Sequence, residues 1–157
     1  MTTEHPTITR FRDDYQRRGG TGKVVILPDS VHTAALAAEA LGCEVGAIAN
    51  SLVFDAEGTP VLILTSGAHR VDTAKVAALV GASRVRRASP DFVRDATGQG
   101  IGGVAPIGHP APLRTLVDRA LAGYDEVWAA GGIAHAVFPT TFAELVAVTG
   151  GEPADVA

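Results

Sequence analysis

A glycine- and proline-rich stretch constrains the fold of this 157-residue chain more than any other segment. Residues 98–112, GQGIGGVAPIGHPAP, hold five glycines and three prolines, a density that neither a helix nor an ordinary strand tolerates. We therefore predict a loop of defined shape. Glycine lets backbone N–H groups approach a ligand with no Cβ in the way, so residues 102–106 could present main-chain donors to a carbonyl or phosphate oxygen. The alternative is a tight connection between two buried strands, because the spacing fits neither a P-loop nor a dinucleotide-binding motif.

The composition indicates a single domain covering residues 1–157. Hydrophobic residues make up 46% of the chain and the mean hydropathy is +0.21, which suffices for one sizeable core. Only 5% of the residues are aromatic, so Val, Leu, Ile and Ala must fill that core. The lone cysteine, Cys43, excludes an internal disulfide, and no segment approaches the ~18 apolar residues that span a bilayer. We expect a cytoplasmic protein that does not bind membranes.

The net charge of −4 is unevenly distributed. Residues 1–100 contain 11 of the 13 basic and 11 of the 17 acidic residues, whereas the last 57 residues carry two basic and six acidic ones. A polyanion should therefore contact the first part of the chain. The predicted contacts are Arg70, Arg84, Arg86 and Arg87. The alternative is a solvated charged surface, which is the more frequent case in a chain that is acidic overall.

Turn signals and hydrophobic periodicity predict alternating strands and helices between a flexible N-terminal arm (1–22) and a polar tail (149–157). Helices are predicted where a capping residue precedes an apolar run and a glycine or polar tail follows it: 31–42, 72–81, 90–97 and 142–148. Strands are predicted at 24–27, 45–54, 61–64, 83–88, 113–117, 126–130 and 135–141, with a hairpin turn at 55–60. Strands outnumber helices and several are joined by short turns. These features predict an α+β fold with a mixed, curved, barrel-like sheet surrounded by helices.

Several segments together resemble a known family. They are a helix start containing His32 and Thr33, then LGCEVGAIANSLVF, TSGAHRVD before a helix, IGGVAPIG, and a late EVWAAGG strand. From Val24 to Val148 the chain resembles the YbaK and prolyl-tRNA synthetase-associated editing domains, most specifically through a G-x-x-x-P loop met by Gly102 and Pro106. The resemblance implies a free-standing, trans-editing aminoacyl-tRNA deacylase that hydrolyses the ester of a small, wrong amino acid. It implies no cofactor or metal and no DNA, with aminoacyl-tRNA and an aminoacyl-tRNA synthetase as partners.

The chemistry of that reaction agrees with the residues present. An aminoacyl ester is already activated, so an enzyme must chiefly hold the carbonyl, stabilise the developing oxyanion, and admit water or a ribose hydroxyl. The chain has no G-x-S-x-G elbow, no evident base for its cysteine and no H-x-x-x-H metal spacing. The predicted catalytic residues are Gly102, Gly103 and Asn50, with backbone N–H groups of the glycines acting on the carbonyl. The predicted substrate-binding residues are His32, Ile48, Ser51, Val104, Pro106, His109 and His135.

Asn50 departs from the family pattern, which usually has a lysine at this position that is associated with binding the tRNA end and with activity. Asparagine exchanges hydrogen bonds but carries no charge. Two alternatives therefore stand beside the deacylase. One is a non-catalytic module that binds aminoacyl-tRNA or a nucleotide, and the other is a domain that docks on a synthetase.

The histidines also allow two interpretations each. His32 lies in the first turn of a predicted helix, either in a pocket or on the surface. His109 directly follows the glycine loop and could shuttle a proton or simply occupy an exposed turn. His135 could line the pocket, whereas His5 and His69 are predicted to face solvent.

Overall fold

The computed structural model describes residues 5–28, 30–31 and 33–157. The α-helices of this described part are α1 (Pro6–Arg17), α2 (Ala34–Leu41), α3 (Thr73–Val80), α4 (Pro90–Thr97) and α5 (Phe142–Thr149). The strands are β1 (Val25–Ile26), β2 (Ile48–Ala56), β3 (Thr59–Ser66), β4 (Arg86–Arg87), β5 (Arg114–Asp118), β6 (Val127–Ala130), β7 (Ala136–Thr140) and β8 (Glu152–Ala154). Short 3₁₀ turns cover Val45–Ala47 and Arg119–Gly123. None of the helices in the described part is long and apolar enough to cross a bilayer.

The strands form one mixed sheet in the order β1-β7-β6-β2-β3-β5-β8, with β4 paired to β2 beside this path. The pairs β1–β7, β7–β6, β2–β3 and β2–β4 are antiparallel, whereas β6–β2, β3–β5 and β5–β8 are parallel. This arrangement confirms the predicted α+β fold with a mixed sheet. The sheet does not close into a barrel, since β1 and β8 lie at the two ends of the pairing order.

Helix boundaries follow the local capping signals. The side chains of Asp72, Ser89 and Thr141 accept N–H groups in the first turns of α3, α4 and α5, as predicted. The helix predicted at 31–42 is shorter, because Thr33, inside the predicted range, is its N-cap. Helices α2 to α5 each end at a left-handed glycine: Gly42, Gly81, Gly98 and Gly150.

Strand β3 is the centre of the core because both of its faces are buried. Leu62 and Leu64 pack in one cluster with Val117 and Phe138. Residues Val61 and Ile63 face a second cluster that contains Leu116, Val76 and Val85. Since successive side chains of a strand point to opposite faces, this strand is apolar throughout these four positions.

The prediction of a flexible arm at 1–22 is wrong for residues 6–17, which form α1. Ile8, Phe11 and Tyr15 lie on one face of this helix and are at most 2% exposed. The Phe11 ring lies 4.7 Å from that of Phe138, and the Tyr15 hydroxyl donates to Glu144 and accepts the N–H of Gly22. The spacing of 3 and 4 residues between the three apolar side chains is a helical signal that sequence reasoning overlooked.

The predicted polar tail is also partly wrong. Residues 152–154 form β8, which pairs in parallel with β5 at the end of the sheet. Val156 is fully buried, and its carbonyl accepts the N–H of Asp72 at the start of α3. The segment therefore belongs to the core.

The packing of α1 predicts a large cost for truncating its central aromatic side chain. Phe11→Ala should lower the free energy of unfolding by about 3–5 kcal/mol, as is usual when a buried Phe is reduced to Ala. Urea denaturation followed by circular dichroism measures this change.

The matched control is Arg17→Ala on the same helix. The Arg17 side chain is 74% exposed and pairs only with Asp14 among its described neighbours, at 3.3 Å, so its loss should cost at most about 1 kcal/mol. Equal, small effects of both substitutions would show that α1 does not pack on the core.

Candidate active site

A cavity of about 250 Å³ opens beside a stretch of β2 that lacks a partner strand. Strand β2 pairs with β3 along its whole length. Its other edge pairs with β6 at residues 48–49 and with β4 at residues 54–55, which leaves residues 50–53 open between them. The described residues lining the cavity are Thr33, Ala34, Ala37, Ile48, Ala49, Asn50, Ser51, Leu52, Gly102, Val104, Trp128, Ala129, Ala130, Ala134 and Val137.

Backbone groups of β2 are directed into this opening. On the β3 side, the carbonyl of Ile48 accepts the N–H of Gly67 at 2.8 Å. Because backbone groups alternate in direction along a strand, the N–H and C=O of Ser51 face the opposite edge, in the gap between β6 and β4. The Ser51 hydroxyl is buried, and no hydrogen-bond partner for it is found in the described part of the chain. Unpaired polar groups of this kind are rare inside proteins and indicate a place where a ligand or water binds.

Internal hydrogen bonds fix the glycine loop that forms the other wall. The N–H of Gly103 donates to the carbonyl of Gly100 at 3.2 Å. The N–H of Ala105 donates to the buried Gln99 side chain at 2.7 Å, and the carbonyl of Ala105 accepts Nε2 of His109 at 2.8 Å. A Cβ on Gly103 would lie 2.6 Å from Cα of Ile133, so only glycine allows the loop to approach the turn after β6 this closely. The loop is therefore rigid before any ligand binds.

Two backbone N–H groups of the loop remain available at the cavity. Gly102 and Val104 both line it, and neither N–H has an acceptor among the residues that the structure describes. Gly102 has φ +88°, a conformation that side-chain-bearing residues rarely adopt, and a Cβ there would meet no atom within 4 Å. Gly102 and Gly103 are the donors that the sequence predicts. The Gly103 N–H is engaged by the carbonyl of Gly100, so the loop N–H groups beside the cavity that have no described acceptor are those of Gly102 and Val104.

The cavity is small, and the described part of its lining is electrically neutral. Its described lining contains no Asp, Glu, Lys, Arg, His or Cys. Six alanines, the side chain of Trp128 and the aliphatic side chains leave room for a compact apolar group. Polar contacts are limited to backbone groups and to the side chains of Thr33, Asn50 and Ser51.

The structure thus brings together five of the residues predicted from sequence: Ile48, Asn50, Ser51, Gly102 and Val104. His32 lies outside the described residues. Gly103 packs beneath the cavity against Ile133. His135 does not line the cavity, although its neighbour Ala134 does, and its backbone carbonyl instead accepts the N–H of Leu27.

Pro106 and His109 also lie elsewhere, in a groove of about 200 Å³ between the end of the glycine loop and α1. This groove is lined by Arg10, Asp14, Arg17 and Arg18 as well. Burial lowers the pKa of His109, which favours the neutral ring that braces the carbonyl of Ala105. His109 is therefore a structural support for the loop and not a proton shuttle at the cavity.

The predicted polyanion contacts divide into two groups. Arg70 and Arg87 line a hollow of about 420 Å³ on the far side of Leu52 from the cavity. The Arg86 side chain points away from this hollow, and its Nη2 lies 3.5 Å from Oδ2 of Asp55. The fourth residue, Arg84, is exposed. Sequence reasoning missed Trp128 as a wall of the cavity. His69 is exposed, as predicted, and it lines the hollow, a position that the sequence did not indicate.

Comparison with known proteins gives a consistent family assignment. Residues 28–148 match the aminoacyl-tRNA editing domain. The uncharacterized protein YwhH of Bacillus subtilis (strain 168) is 34% identical over 110 residues, which cover 69% of each chain. A solved structure described as a candidate trans-editing enzyme for prolyl tRNA synthetase superposes with a TM-score of 0.93, at 47% identity and 98% coverage of both chains.

A proline–tRNA ligase of Lysinibacillus sphaericus (strain C3-41) is 31% identical over 74 residues, which are 47% of this chain but only 13% of the ligase. The similarity therefore concerns one segment of that much longer enzyme. The match over most of the chain and the agreement of the fold lead to one conclusion: the chain belongs to the aminoacyl-tRNA editing domain family.

Proposed function

We propose that this protein is an aminoacyl-tRNA deacylase that acts in trans and hydrolyses the ester of a tRNA carrying a small, uncharged amino acid. One observation carries the proposal: the available N–H groups of Gly102 and Val104 share a neutral cavity of about 250 Å³ with the polar groups of Asn50 and Ser51. The relative of matched length, described as a candidate trans-editing enzyme for prolyl tRNA synthetase, supports action in trans.

The loop N–H groups supply the electrostatic part of catalysis. When a nucleophile attacks the ester carbonyl, negative charge develops on the carbonyl oxygen. Donors that are already in place stabilise this charge without reorganisation, and the bonds at Gly100, Gln99 and His109 hold the loop in place beforehand. In this mechanism the oxygen accepts the N–H groups of Gly102 and Val104.

The opposite wall of the cavity recognises the amino acid. The α-ammonium group of that amino acid needs hydrogen-bond acceptors, and the described lining offers no carboxylate. The Ser51 hydroxyl, the Ser51 carbonyl on the open edge and the Asn50 amide oxygen are the nearby acceptors that a neutral wall provides. The six alanines and Trp128 limit the amino-acid side chain to a small apolar or hydroxylated group.

Water is the nucleophile. Its oxygen attacks the carbonyl carbon, the tetrahedral intermediate collapses, and the bond between the carbonyl carbon and the ribose oxygen breaks. The ribose oxygen leaves with a proton, and the amino acid departs as a carboxylic acid that ionises in solution. The described lining residues hold no general base, so the neighbouring hydroxyl of the substrate's own ribose relays the proton from water.

The glycine loop supplies the sharpest test. Gly102→Ala places a side chain at φ +88°, a strained conformation that the backbone relieves by rotating the adjacent peptide, so the donor is misplaced. Loss of one such donor typically costs on the order of a hundredfold or more in rate. We expect Gly102→Ala to lower kcat for deacylation by about that factor. Single-turnover hydrolysis of proline-specific tRNA charged with glycine, alanine, serine or threonine measures it.

Gly100→Ala is the control within the same loop. A Cβ at Gly100 also meets no atom within 4 Å, but Gly100 does not have a positive φ. Its substitution should leave the rate within about twofold. Unchanged hydrolysis in a folded Gly102→Ala protein would remove the loop from the mechanism.

Asn50 favours a second candidate function, a module that binds aminoacyl-tRNA without hydrolysing it. If the protein is a deacylase, Asn50→Ala should lower kcat/KM by about fivefold, the usual value of one neutral hydrogen bond. Asn50→Lys should raise the affinity for aminoacyl-tRNA, because an ammonium makes charge-assisted bonds with ribose or phosphate oxygens. If the protein is only a binding module, the native chain will release no amino acid from any charged tRNA. Robust native activity that Asn50→Ala leaves untouched would contradict both functions.

A further inference from the structure

We propose that the hollow lined by His69, Arg70 and Arg87 binds phosphate groups of the single-stranded RNA that leads to the ester. The inference rests on the proposed function, because it extends the path of the same substrate from the cavity onto the protein surface. It assigns a binding role to His69, which the family resemblance did not include, and to the buried Asp118 that holds it.

The hollow is a shaped site between β2, β4 and the start of α3. Its volume is about 420 Å³, larger than that of the cavity beside it. Its lining residues are Leu52, Phe54, His69, Arg70, Val71, Thr73 and Arg87. Three cationic or cation-forming side chains thus surround an apolar floor, and this described lining contains no carboxylate. Such a combination suits a nucleotide, whose phosphate meets the cations while its base or sugar covers apolar surface.

His69 is held in place by a buried carboxylate. Its Nδ1 lies 2.9 Å from Oδ2 of Asp118, which is 2% exposed. The carboxylate also accepts the N–H groups of Ser66 and Ala120, each at 3.0 Å. Nδ1–H donates to the Asp118 carboxylate, which fixes the orientation of the ring and leaves Nε2 for a ligand. A phosphate oxygen is an acceptor, so Nε2 bonds it as the second N–H of the imidazolium form, in which both ring nitrogens donate.

The turn that carries His69 is equally constrained. The Ser66 hydroxyl donates to the carbonyl of Gly46 at 2.7 Å, and the N–H of His69 donates to the carbonyl of Ser66 at 2.9 Å. A Cβ on Gly67 would lie 2.4 Å from the carbonyl oxygen of Val45, so the turn can pack there only with glycine. These bonds hold the exposed His69 in one position at the edge of the hollow.

The two arginines of the hollow are available for a ligand. Neither the Arg70 side chain nor the Arg87 side chain forms an ion pair or hydrogen bond with another residue in the described part of the chain. Their neighbour Arg86 differs, because it approaches Asp55 on the opposite face of β2. Guanidinium groups bind phosphate oxygens through two parallel N–H bonds, so unpaired arginines beside a fixed imidazole form a phosphate site.

The hollow and the cavity are neighbours that share the lining residue Leu52. A smaller space of about 70 Å³ lies between them and is lined by Ser51, Leu52 and Gly102, which also line the cavity, and by Arg87, which also lines the hollow. An aminoacyl group in the cavity therefore leaves its RNA next to Arg87. The phosphates that precede the terminal nucleoside then reach His69 and Arg70.

Binding of the RNA trinucleotide CCA, which carries no amino acid, tests this inference in the full chain. Arg87→Gln and His69→Gln should each weaken binding about tenfold, the lower end for a hydrogen bond to a charged group. Because the slope counts the charges that neutralise phosphates, Arg87→Gln should also flatten the slope of log K against log salt by about 0.7 for a single strand. A purely structural role for Arg87 would not change that slope. Fluorescence anisotropy with an end-labelled trinucleotide at several salt concentrations measures both quantities.

Arg94→Gln is the matched control, an exposed arginine of α4 that does not line the hollow. It should leave affinity and slope unchanged. Equal weakening by Arg94→Gln and Arg87→Gln, or an unaltered slope in the Arg87→Gln variant with an unchanged melting temperature, would overturn the inference.

A second substrate separates this inference from the proposed function. An aminoacyl-adenosine ester has no phosphate, so Arg87→Gln should hydrolyse it at the native rate while its KM for charged tRNA rises. If the native protein hydrolyses neither substrate but the hollow variants still lose CCA, the deacylase proposal fails and the phosphate site stands. If hydrolysis is normal and CCA binding is the same in all variants, the phosphate site fails and the deacylase stands.

Discussion

Strand β2 is hydrogen-bonded to β3 along its whole length, but on its other edge it has strand partners only at its two ends. Between those ends, Ser51 directs its backbone N–H and C=O into an opening where no strand pairs with them. The Ser51 hydroxyl is buried without a partner among the described residues, so the opening offers polar groups to water or a ligand. The glycine loop lies across it and contributes donors of its own. The cavity thus exists because β6 and β4 pair with opposite ends of β2 and leave the middle of that edge without a partner strand.

The glycine loop lies across this opening because contacts with distant parts of the chain hold the loop in place. The N–H of Gly108 donates to Asp14 on α1 at 3.1 Å, and His109 binds the carbonyl of Ala105. Helix α1 is itself fastened to the core through Phe138 and Glu144. These contacts connect the N-terminal helix to the N–H groups at the cavity. Contacts outside the cavity therefore determine where Gly102 and Val104 present their backbone N–H groups.

Features set by local chemistry could be predicted from the sequence. Capping side chains such as Asp72 and Ser89 determine helix ends within a few residues, and the density of glycine and proline marked the loop. Tertiary packing decided what could not be predicted. The close packing of Gly103 depends on Ile133, thirty residues away, and the His69–Asp118 pair joins positions 49 residues apart. Likewise, α1 is ordered by aromatic packing on a strand at the other end of the chain.

The most direct test of this account is to follow the backbone N–H signals of the ¹⁵N-labelled protein during titration with an alanyl-adenosine analogue whose ester is replaced by a stable amide. Hydrogen bonding of the carbonyl changes the chemical shift of the N–H groups that donate to it. The account predicts that the largest changes occur at Gly102 and Val104, with smaller ones at Ser51 and none at Gly108. Changes confined to Gly108, His109 and α1, with Gly102 and Val104 unaffected, would place the ligand in the groove beside α1 and contradict the assignment of the cavity.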